Sequence, residues 1–212
     1  MTAIPGVLLA FDASTSRSTA AVVRDGVVLA AGQAKGRDPR EERLLPLLLG
    51  LCADAHVALD EIASLVVGAG PGSFTGLRVA ASTAKGLAAG TGAALVPVSS
   101  LLLIVAGLAT APPPGRYLAT LDALRGERYV APITVGESGI ALAGPARRIA
   151  EAMVKSAAAE MGATIIGPET AWEAWPDARG VARLALPVAV DLASWEPDYG
   201  RASAAEDRRS VP

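Results

Sequence analysis

The sequence predicts an α/β protein of two similar halves, each a mixed sheet flanked by helices. The first observation is an alternation of short β-rich runs with longer apolar-periodic segments along the 212 residues. The second is a strand that ends in aspartate and continues through a turn into another strand, a pattern seen at Asp12 and again at Asp122. The third is the proline run at 112–114, which can continue neither a helix nor a central strand. We therefore expect one lobe at 1–111 and a smaller lobe at 112–212.

Each element of the first half has a local signal. Asp25-Gly26 between two β-rich runs is a strong signal of a two-residue hairpin. Asp38 is a helix N-cap candidate with Pro39 in the first turn, and Pro46 predicts a kink further along that helix. The predicted strands are 7–11, 19–24, 27–31, 62–68 and 93–98, and the predicted helices are 38–56, 74–89 and 99–109.

The second half repeats the opening pattern and then continues with helices. Its predicted strands are 117–121, 127–135 and 163–167, and its predicted helices are 150–161 and 178–186. The tail at 195–212 is polar, and we expect it to be frayed. The repeated strand–Asp–turn–strand unit, followed each time by helices, indicates two similar α/β halves, and a chance coincidence of two such units is the alternative.

The composition excludes several classes of protein. Hydrophobic residues make up 51% and charged residues 19%, which excludes intrinsic disorder. The net charge of −2 lacks the basic excess typical of a protein that binds nucleic acid unaided. A single cysteine, Cys52, excludes an internal disulfide, and a single histidine, His56, excludes a metal site of several histidines.

The distribution of charge predicts a cytoplasmic protein. The N-terminal segment has no basic region before its apolar run, and Asp12 interrupts that run, so it is a poor signal peptide. No charged residue lies between Lys85 and Arg116, a length that could span a bilayer. Glycines and Pro97 divide this stretch into pieces that are too short to do so, and we interpret it as a strand, a turn and a buried helix.

A glycine-rich segment lies between a predicted buried strand and a predicted helix. A loop of this kind can hold phosphate on backbone N–H groups, but a P-loop would need lysine after Gly76, where the chain has Leu77. A dinucleotide fingerprint would need a later carboxylate, and none occurs between Glu61 and Asp122. The residues alone favour a structural role, in which the glycines allow a tight turn and close packing of the helix. The motif comprises Gly70, Pro71, Gly72, Ser73, Phe74, Thr75, Gly76 and Arg78.

The turn after the first strand resembles the phosphate hairpin of actin-like ATPases, where an aspartate and hydroxyl groups meet phosphate and a hydrated metal. The residues concerned are Asp12, Ser14 and Thr15. A second interpretation is an Asx turn, in which the Asp12 and Ser14 side chains satisfy backbone donors. The second half has Leu124 and Arg125 where a matching hairpin would have hydroxyl and glycine residues. We therefore expect a vestigial hairpin and weak nucleotide affinity, and not a complete nucleotide site.

Cys52 and His56 lie four residues apart and would share one face of a helix, as half of a zinc site does. Two ligands do not make a stable zinc site. A small buried cysteine and a histidine at the end of a helix is the favoured interpretation, and we expect no bound metal.

Together these motifs resemble those of the TsaB family, also called YeaZ. The chain departs from the family pattern at Ala13 and at Arg40, where the family has threonine and histidine, so that histidine has no counterpart here. The match is good over residues 7–130 and extends beyond them in pattern only. The resemblance rests on Asp12-Ala13-Ser14-Thr15, Glu42-Arg43-Leu44-Leu45-Pro46, the glycine motif, Ala84-Lys85-Gly86-Leu87, Val98-Ser99-Ser100-Leu101 and the turn from Asp122 to Glu127.

The resemblance implies a two-lobed actin-like fold (ASKHA, ribonuclease H-like) and a part in making N6-threonylcarbamoyladenosine beside the tRNA anticodon. It implies a non-catalytic subunit, without catalytic residues, metal or cofactor, that activates the catalytic paralogue TsaD as a heterodimer. TsaD carries the metal and transfers the group, the ATPase TsaE resets the complex, and tRNA is reached through that complex. Homodimerisation and direct tRNA contact stay open. So do two other functions, an actin-fold ATP-dependent kinase or ATPase and a glycoprotease-like metallopeptidase.

The helix around Leu44–Cys52 has more apolar surface than one sheet can cover. Leu44, Leu48 and Leu51 form one stripe, and Leu45, Leu49 and Cys52 form a second stripe displaced around the axis. A leucine stripe left in water is an aggregation hazard, so we expect a partner helix on one of the two stripes. The alternative is that the second half of the chain itself covers both stripes. The small residues of the next helix would let that partner approach, and the resemblance implies that the partner is TsaD. The expected partner-binding residues are Leu44, Leu45, Leu48, Leu49, Leu51, Leu77, Ala80 and Ala84.

Overall fold

A computed structural model describes residues 6–35 and 43–200 of the chain. The strands are β1 (Val7–Asp12), β2 (Arg17–Arg24), β3 (Val27–Lys35), β4 (Ile62–Gly68), β5 (Ala94–Val98), β6 (Gly115–Asp122), β7 (Glu127–Gly136), β8 (Gly139–Leu142), β9 (Arg147–Ala150) and β10 (Thr164–Ile166). The helices are α1 (Leu44–Asp54), α2 (Phe74–Thr91), α3 (Ser100–Ala106) and α4 (Val154–Met161), with 3₁₀ turns at Leu59–Glu61, Glu151–Met153 and Ala178–Arg183.

The first sheet has the strand order β3-β2-β1-β4-β5. The strands β1, β2 and β3 are antiparallel neighbours, whereas β1, β4 and β5 run parallel. Alternate residues of β1 point to opposite faces: Leu9 and Phe11 join the core under α1 and α2, and Leu8 and Ala10 join the core under α3. Both faces of this sheet are therefore covered.

The second sheet repeats the central strand relations of the first. Its order is β10-β6-β7-β8, and β9 also pairs with β7. The strands β6 and β7 are antiparallel and β10 is parallel to β6, as β1, β2 and β4 are related in the first sheet. The predicted duplicated unit is confirmed at the level of strand topology.

Helix α3 lies between the two sheets, which explains its uniformly apolar sequence. Leu101, Ile104 and Val105 pack on the second sheet, and Leu103 and Ala106 pack on the first. The apolar helix α3 within the uncharged stretch after Lys85 is thus interior structure. None of the helices in the described part of the chain is long and apolar enough to cross a membrane.

The structure corrects the start of the first helix. The N-cap of α1 is Arg43, whereas the predicted start at Asp38 and Pro39 lies outside the described residues. The predicted kink at Pro46 is wrong, because Pro46 falls in the first turn, where the backbone N–H has no partner to lose. The first intrahelical bond is donated by Leu47 to the Arg43 carbonyl, at 3.1 Å.

Two predictions for the last third of the chain also need correction. Residues 178–186 do not form an α-helix, since only Ala178–Arg183 are helical and they form a 3₁₀ turn. Residues 195–200 are not frayed: Trp195 packs against the first core, and the Asp198 backbone N–H donates to the Ala69 carbonyl at 2.8 Å. Residues 201–212 of the predicted tail lie outside the described part of the chain.

The last described segment returns from the second sheet to the first. Ala178 and Val181 pack on the face of the first sheet that α3 also covers, and the Val190 N–H donates to the Leu95 carbonyl at 2.9 Å. Our division of the chain between residues 111 and 112 stays a prediction. The C-terminal segment follows the second sheet in the chain and also packs on the first.

Candidate functional site

The turn after β1 is organised around a fully buried carboxylate. Asp12 Oδ1 accepts hydrogen bonds from the Ser14 N–H at 2.8 Å and from the Ser14 hydroxyl at 2.7 Å. Asp12 Oδ2 accepts a bond of 2.5 Å from the hydroxyl of Ser100, at the start of α3. The bond from the Ser14 N–H is the Asx turn that the sequence offered as the second interpretation.

Burial governs the protonation of this carboxyl group. Desolvation raises the pKa of Asp12 above its ordinary value of 3.8, and the hydrogen bonds from Ser100 and Ser14 oppose that rise only in part. A carboxylate that faces inward and is already bonded on both oxygens is poorly placed to hold a hydrated metal and a phosphate. The local geometry therefore supports a structural role for Asp12.

The glycine-rich loop covers this turn at very close range. A Cβ atom at Gly68 would overlap the Asp12 carboxylate, one at Gly72 would overlap the Ser14 carbonyl oxygen, and one at Gly76 would overlap the Ala13 carbonyl oxygen. The Ser73 N–H also donates to the Ser14 carbonyl at 2.7 Å. Gly72 and Gly76 are needed because backbone meets backbone there, as the structural interpretation of the motif predicts, and Gly68 is needed because the Asp12 side chain lies against it.

A cleft of about 780 Å³ lies between the two aspartate turns, beside the glycine loop. Leu124 and Arg125 adopt left-handed conformations, with φ of 63° and 58°, and Leu124 is 63% exposed. The residues that line the cleft are Ser14, Thr15, Ser16, Gly72, Ser73, Phe74, Thr75, Leu121, Asp122, Ala123, Leu124, Arg125, Arg128, Tyr129, Pro168, Glu169, Trp175 and Tyr199. The structure thus brings the predicted hairpin residues Ser14 and Thr15 to the cleft, and Asp12 lies behind them.

Several aromatic rings of the cleft contact a cation or another ring. The Arg17 guanidinium carbon lies 4.2 Å from the centre of the Trp175 ring, and that of Arg78 lies 5.2 Å from the centre of the Phe74 ring. The ring centres of Phe74 and Tyr199 are 4.8 Å apart. Trp175 and Tyr199 carry no signal in the sequence, because they come from a region without recognisable motifs and reach the cleft only through the tertiary fold.

Arg128 is a further residue that the sequence did not single out. It is buried beside the cleft, where its Nε lies 3.2 Å from Glu151 and its NH2 group lies 3.7 Å from Glu169. A buried guanidinium needs such partners, because an unpaired buried charge is strongly destabilising. Its position in the strand pattern gave no signal of this role.

Helix α1 has one buried and one exposed leucine stripe. Leu44, Leu48 and Leu51 are buried against the first sheet, so this is the stripe that the sheet covers. All three were expected to bind the partner, and their burial leaves them little surface for it. Leu45 and Leu49 remain 39% and 43% exposed. Cys52, which the sequence placed on the same stripe as Leu45 and Leu49, belongs to the buried face, and the prediction of a small buried cysteine is confirmed.

Helix α2 presents a different face from the one predicted. Leu77, Ala80 and Ala84 are fully buried in the chain's own core and cannot contact a partner helix, so this part of the predicted partner surface is wrong. The opposite face carries Ser82, Gly86, Ala89 and Gly90, all of them exposed. Small residues are present on α2 as expected, but those open to another molecule are these four.

Cys52 and His56 do not form a pair of ligands. Cys52 is buried, burial raises the pKa of its thiol, and His56 is exposed beyond the end of α1. Among residues 6–35 and 43–200, no three side chains of the metal-binding types lie close enough together to hold an ion.

Several of the known proteins that this chain resembles carry names related to threonylcarbamoylation of tRNA. A family model described as TsaD, tRNA N6-adenosine threonylcarbamoyltransferase, matches residues 38–170. The tRNA threonylcarbamoyladenosine biosynthesis protein TsaB of Escherichia coli is 31% identical over 171 residues, which cover 80% of this chain and 74% of that protein. The protein of the same name from Haemophilus influenzae is 32% identical over 58% of this chain and 51% of its own length.

Solved structures agree with the observed fold. A Pseudomonas aeruginosa protein described as similar to peptidase YeaZ superposes with a TM-score of 0.78 at 25% identity, over 92% of this chain and all of that one. YeaZ from Pseudomonas aeruginosa gives a TM-score of 0.76 at 24% identity, over 91% of this chain and 98% of that one. The arrangement of both sheets is therefore shared with proteins of known structure.

Proposed function

We propose that this chain, which belongs to the TsaB family and is TsaD-related, is the non-catalytic subunit that activates a TsaD-like enzyme in tRNA threonylcarbamoylation. The family connects the chain to the biosynthesis of threonylcarbamoyladenosine in tRNA. The scaffold role, the heterodimer, the larger complex with a TsaE-like ATPase and the cytoplasmic location are our inferences.

The observation that carries the proposal is the outer surface of α1 and α2, which lie on the same face of the first sheet. Gly50 in α1 and Gly86 and Gly90 in α2 have no heavy atom within 4 Å of the place where a Cβ would lie. A glycine inside a helix costs about 0.5–1 kcal/mol relative to alanine. Since the fold gains nothing from these glycines, close approach of another helix is the better reason for them.

Leu45 and Leu49 complete this surface, which we call the α1–α2 face: Leu45, Leu49, Gly50, Ser82, Gly86 and Gly90. Exposed leucines on one helix and exposed small residues on another, over the same face of one sheet, suit packing against further helices, in which side-chain ridges of one helix fit the grooves of the next. We infer that a TsaD-like subunit packs its own helices here.

The chemistry of the cleft supports a non-catalytic subunit. The Asp12 carboxylate is fully buried and bonded by Ser14 and Ser100. The second turn offers Leu124 and Arg125 where a phosphate-binding hairpin would need small or hydroxyl side chains. These residues fit an ATP-hydrolysing site poorly, so we place the transfer chemistry on the partner.

The test compares arginine substitutions on the two leucine stripes of α1. Leu45→Arg and Leu49→Arg should leave thermal unfolding nearly unchanged and abolish both heterodimer formation with the TsaD-like subunit and threonylcarbamoyladenosine formation. Leu48→Arg is the matched control and should unfold the chain, because it buries an unpaired charge. If Leu45→Arg and Leu49→Arg keep full binding, the interface lies elsewhere.

A second pair of variants separates binding from folding without adding charge. Gly86→Ala and Gly90→Ala add a methyl group to open space, so each should raise the unfolding free energy by up to about 1 kcal/mol. The same methyl groups should weaken the heterodimer, because they hold the partner helix away. Stabilised variants that bind the partner as tightly as the wild type would contradict close helix packing at this face.

A further inference from the structure

The cleft between the two turns carries features that the scaffold role does not use. The Phe74 side chain is 53% exposed at the cleft wall, although its ring also contacts Tyr199 and the Arg78 guanidinium. An exposed aromatic ring braced by a second ring and a cation is a rigid platform on which a planar group can stack.

Some charged side chains of the cleft have a hydrogen-bond or ion-pair partner, and one does not. Asp122 accepts a hydrogen bond of 2.8 Å from the Leu124 N–H, and Glu169 lies 3.7 Å from Arg128. Arg125 is exposed at the tip of the second turn and has no ion-pair partner among the residues that the structure describes. The cleft therefore combines a stacking platform with one exposed arginine outside any described ion pair, while the charges of its two arginines and two carboxylates balance.

These groups suit a nucleotide unit of a polynucleotide better than a metal-bound triphosphate. Binding of unpaired nucleic acid needs aromatic rings for the bases and cations for the phosphates, and it needs no metal-holding carboxylate. The Asp12 carboxylate is held inward, and the Asp122 carboxylate is engaged by its own turn. Phe74 and Leu124 are more than half exposed, so the wall is open to a strand that passes along it.

We propose that this cleft binds an unpaired segment of RNA, with a base stacked on Phe74 and a phosphate paired with Arg125. The inference rests on the proposed function, in which tRNA is the substrate of the complex. It adds a direct RNA contact by this subunit at a site separate from the α1–α2 face.

The experiment measures fluorescence anisotropy of a labelled RNA hairpin with an unpaired loop, titrated with the full chain. It uses low salt, because a net charge of −2 predicts weak binding by the chain alone at higher salt. Phe74→Ala should weaken binding at least about fivefold, the loss expected for one stacked base. Arg125→Ala should weaken binding and lower the slope of log Kd against log salt by about 1. A fully paired RNA duplex of the same length should bind more weakly than the hairpin.

Matched controls come from exposed residues outside the cleft. Met153 is 55% exposed, and Arg116 lies near the start of β6, at the end of that strand away from Asp122. Met153→Ala and Arg116→Ala should leave both the affinity and its salt dependence unchanged. Equal losses in the control and cleft variants would overturn the assignment of the site.

Further measurements distinguish RNA from a free nucleotide as the ligand, and they test the RNA site independently of the proposed scaffold function. Displacement of the hairpin by ATP with magnesium, lost in Asp12→Ala, would overturn the RNA assignment in favour of a free nucleotide. Lack of any anisotropy change up to protein concentrations on the order of 100 µM would also overturn it. The cleft variants should still form the heterodimer with the TsaD-like subunit, and heterodimer formation is the readout that tests the proposed function.

Discussion

The two aspartate turns share one hydrogen bond and have opposite surroundings. In each, the aspartate Oδ1 accepts a hydrogen bond of 2.8 Å from the N–H two residues further on, which is Ser14 in the first turn and Leu124 in the second. Asp12 is fully buried, whereas Asp122 is exposed. The hydrogen bond is therefore set by local sequence, whereas the burial of each turn is set by what the rest of the chain places on it.

The cover on the first turn comes from distant segments. Ser100 approaches from α3, and the loop after β4 packs its glycines against Asp12, Ala13 and Ser14. In the second half the strand equivalent to β4 is β10, and the glycine that follows it, Gly167, approaches Thr120 in the neighbouring strand and not the turn. The second turn consequently stays open and forms one wall of the cleft.

The largest expected effect breaks the symmetry between the two aspartates. Asp12→Ala leaves the Ser14 and Ser100 donors buried without their acceptor, so it should lower the unfolding free energy by about 2–4 kcal/mol. Asp122→Ala removes one exposed hydrogen bond and should cost less than about 1 kcal/mol. Urea denaturation of both variants measures the difference, and equal losses would show that burial of the first turn contributes nothing.

The next largest expected effect compares two glycines of α2, one packed against the first aspartate turn and one in open space. Gly76→Ala places a methyl group against the Ala13 carbonyl oxygen and should destabilise the chain by about 1–3 kcal/mol. Gly86→Ala lies in the same helix with open space around it, and serves as the control that should not destabilise the chain. A harmless Gly76→Ala would mean that the loop can move away from the first turn at little cost.

The smallest effect concerns pH. Because burial raises the pKa of Asp12 in the folded state, folding favours the protonated carboxyl group, and this stabilisation is lost as pH rises from about 3.8 through the raised pKa. Over that interval the wild type should lose stability relative to Asp12→Asn by at most about 1.4 kcal/mol per pH unit. Chemical denaturation of both proteins across the acidic range checks this, and parallel curves would contradict the desolvation of Asp12.

Local pattern was sufficient to predict most elements of the fold. Asp25-Gly26 connects β2 and β3 as predicted, and the strand at Ile62–Gly68 has the bounds that the sequence indicated. The prediction failed where an element depends on distant contacts, as at residues 178–183, which form a 3₁₀ turn pressed against the end of α3. A Cβ at Gly180 would overlap the Gly107 N atom there. Trp195 packs for a similar reason, since the first core offers it a place that a polar tail does not reveal.

The sequence by itself determined the strand–turn–strand units, the glycine motif and the excess of leucine on α1, because these depend on periodicity and on residues close along the chain. Only the tertiary structure decided which leucines the sheet covers, that Leu77, Ala80 and Ala84 belong to the core, and that Gly86 and Gly90 are the open residues of α2. It also brought Trp175 and Tyr199 to the cleft beside Phe74. The physical reason is that burial and proximity between distant segments are properties of the packed chain, and a single helix or turn does not contain them.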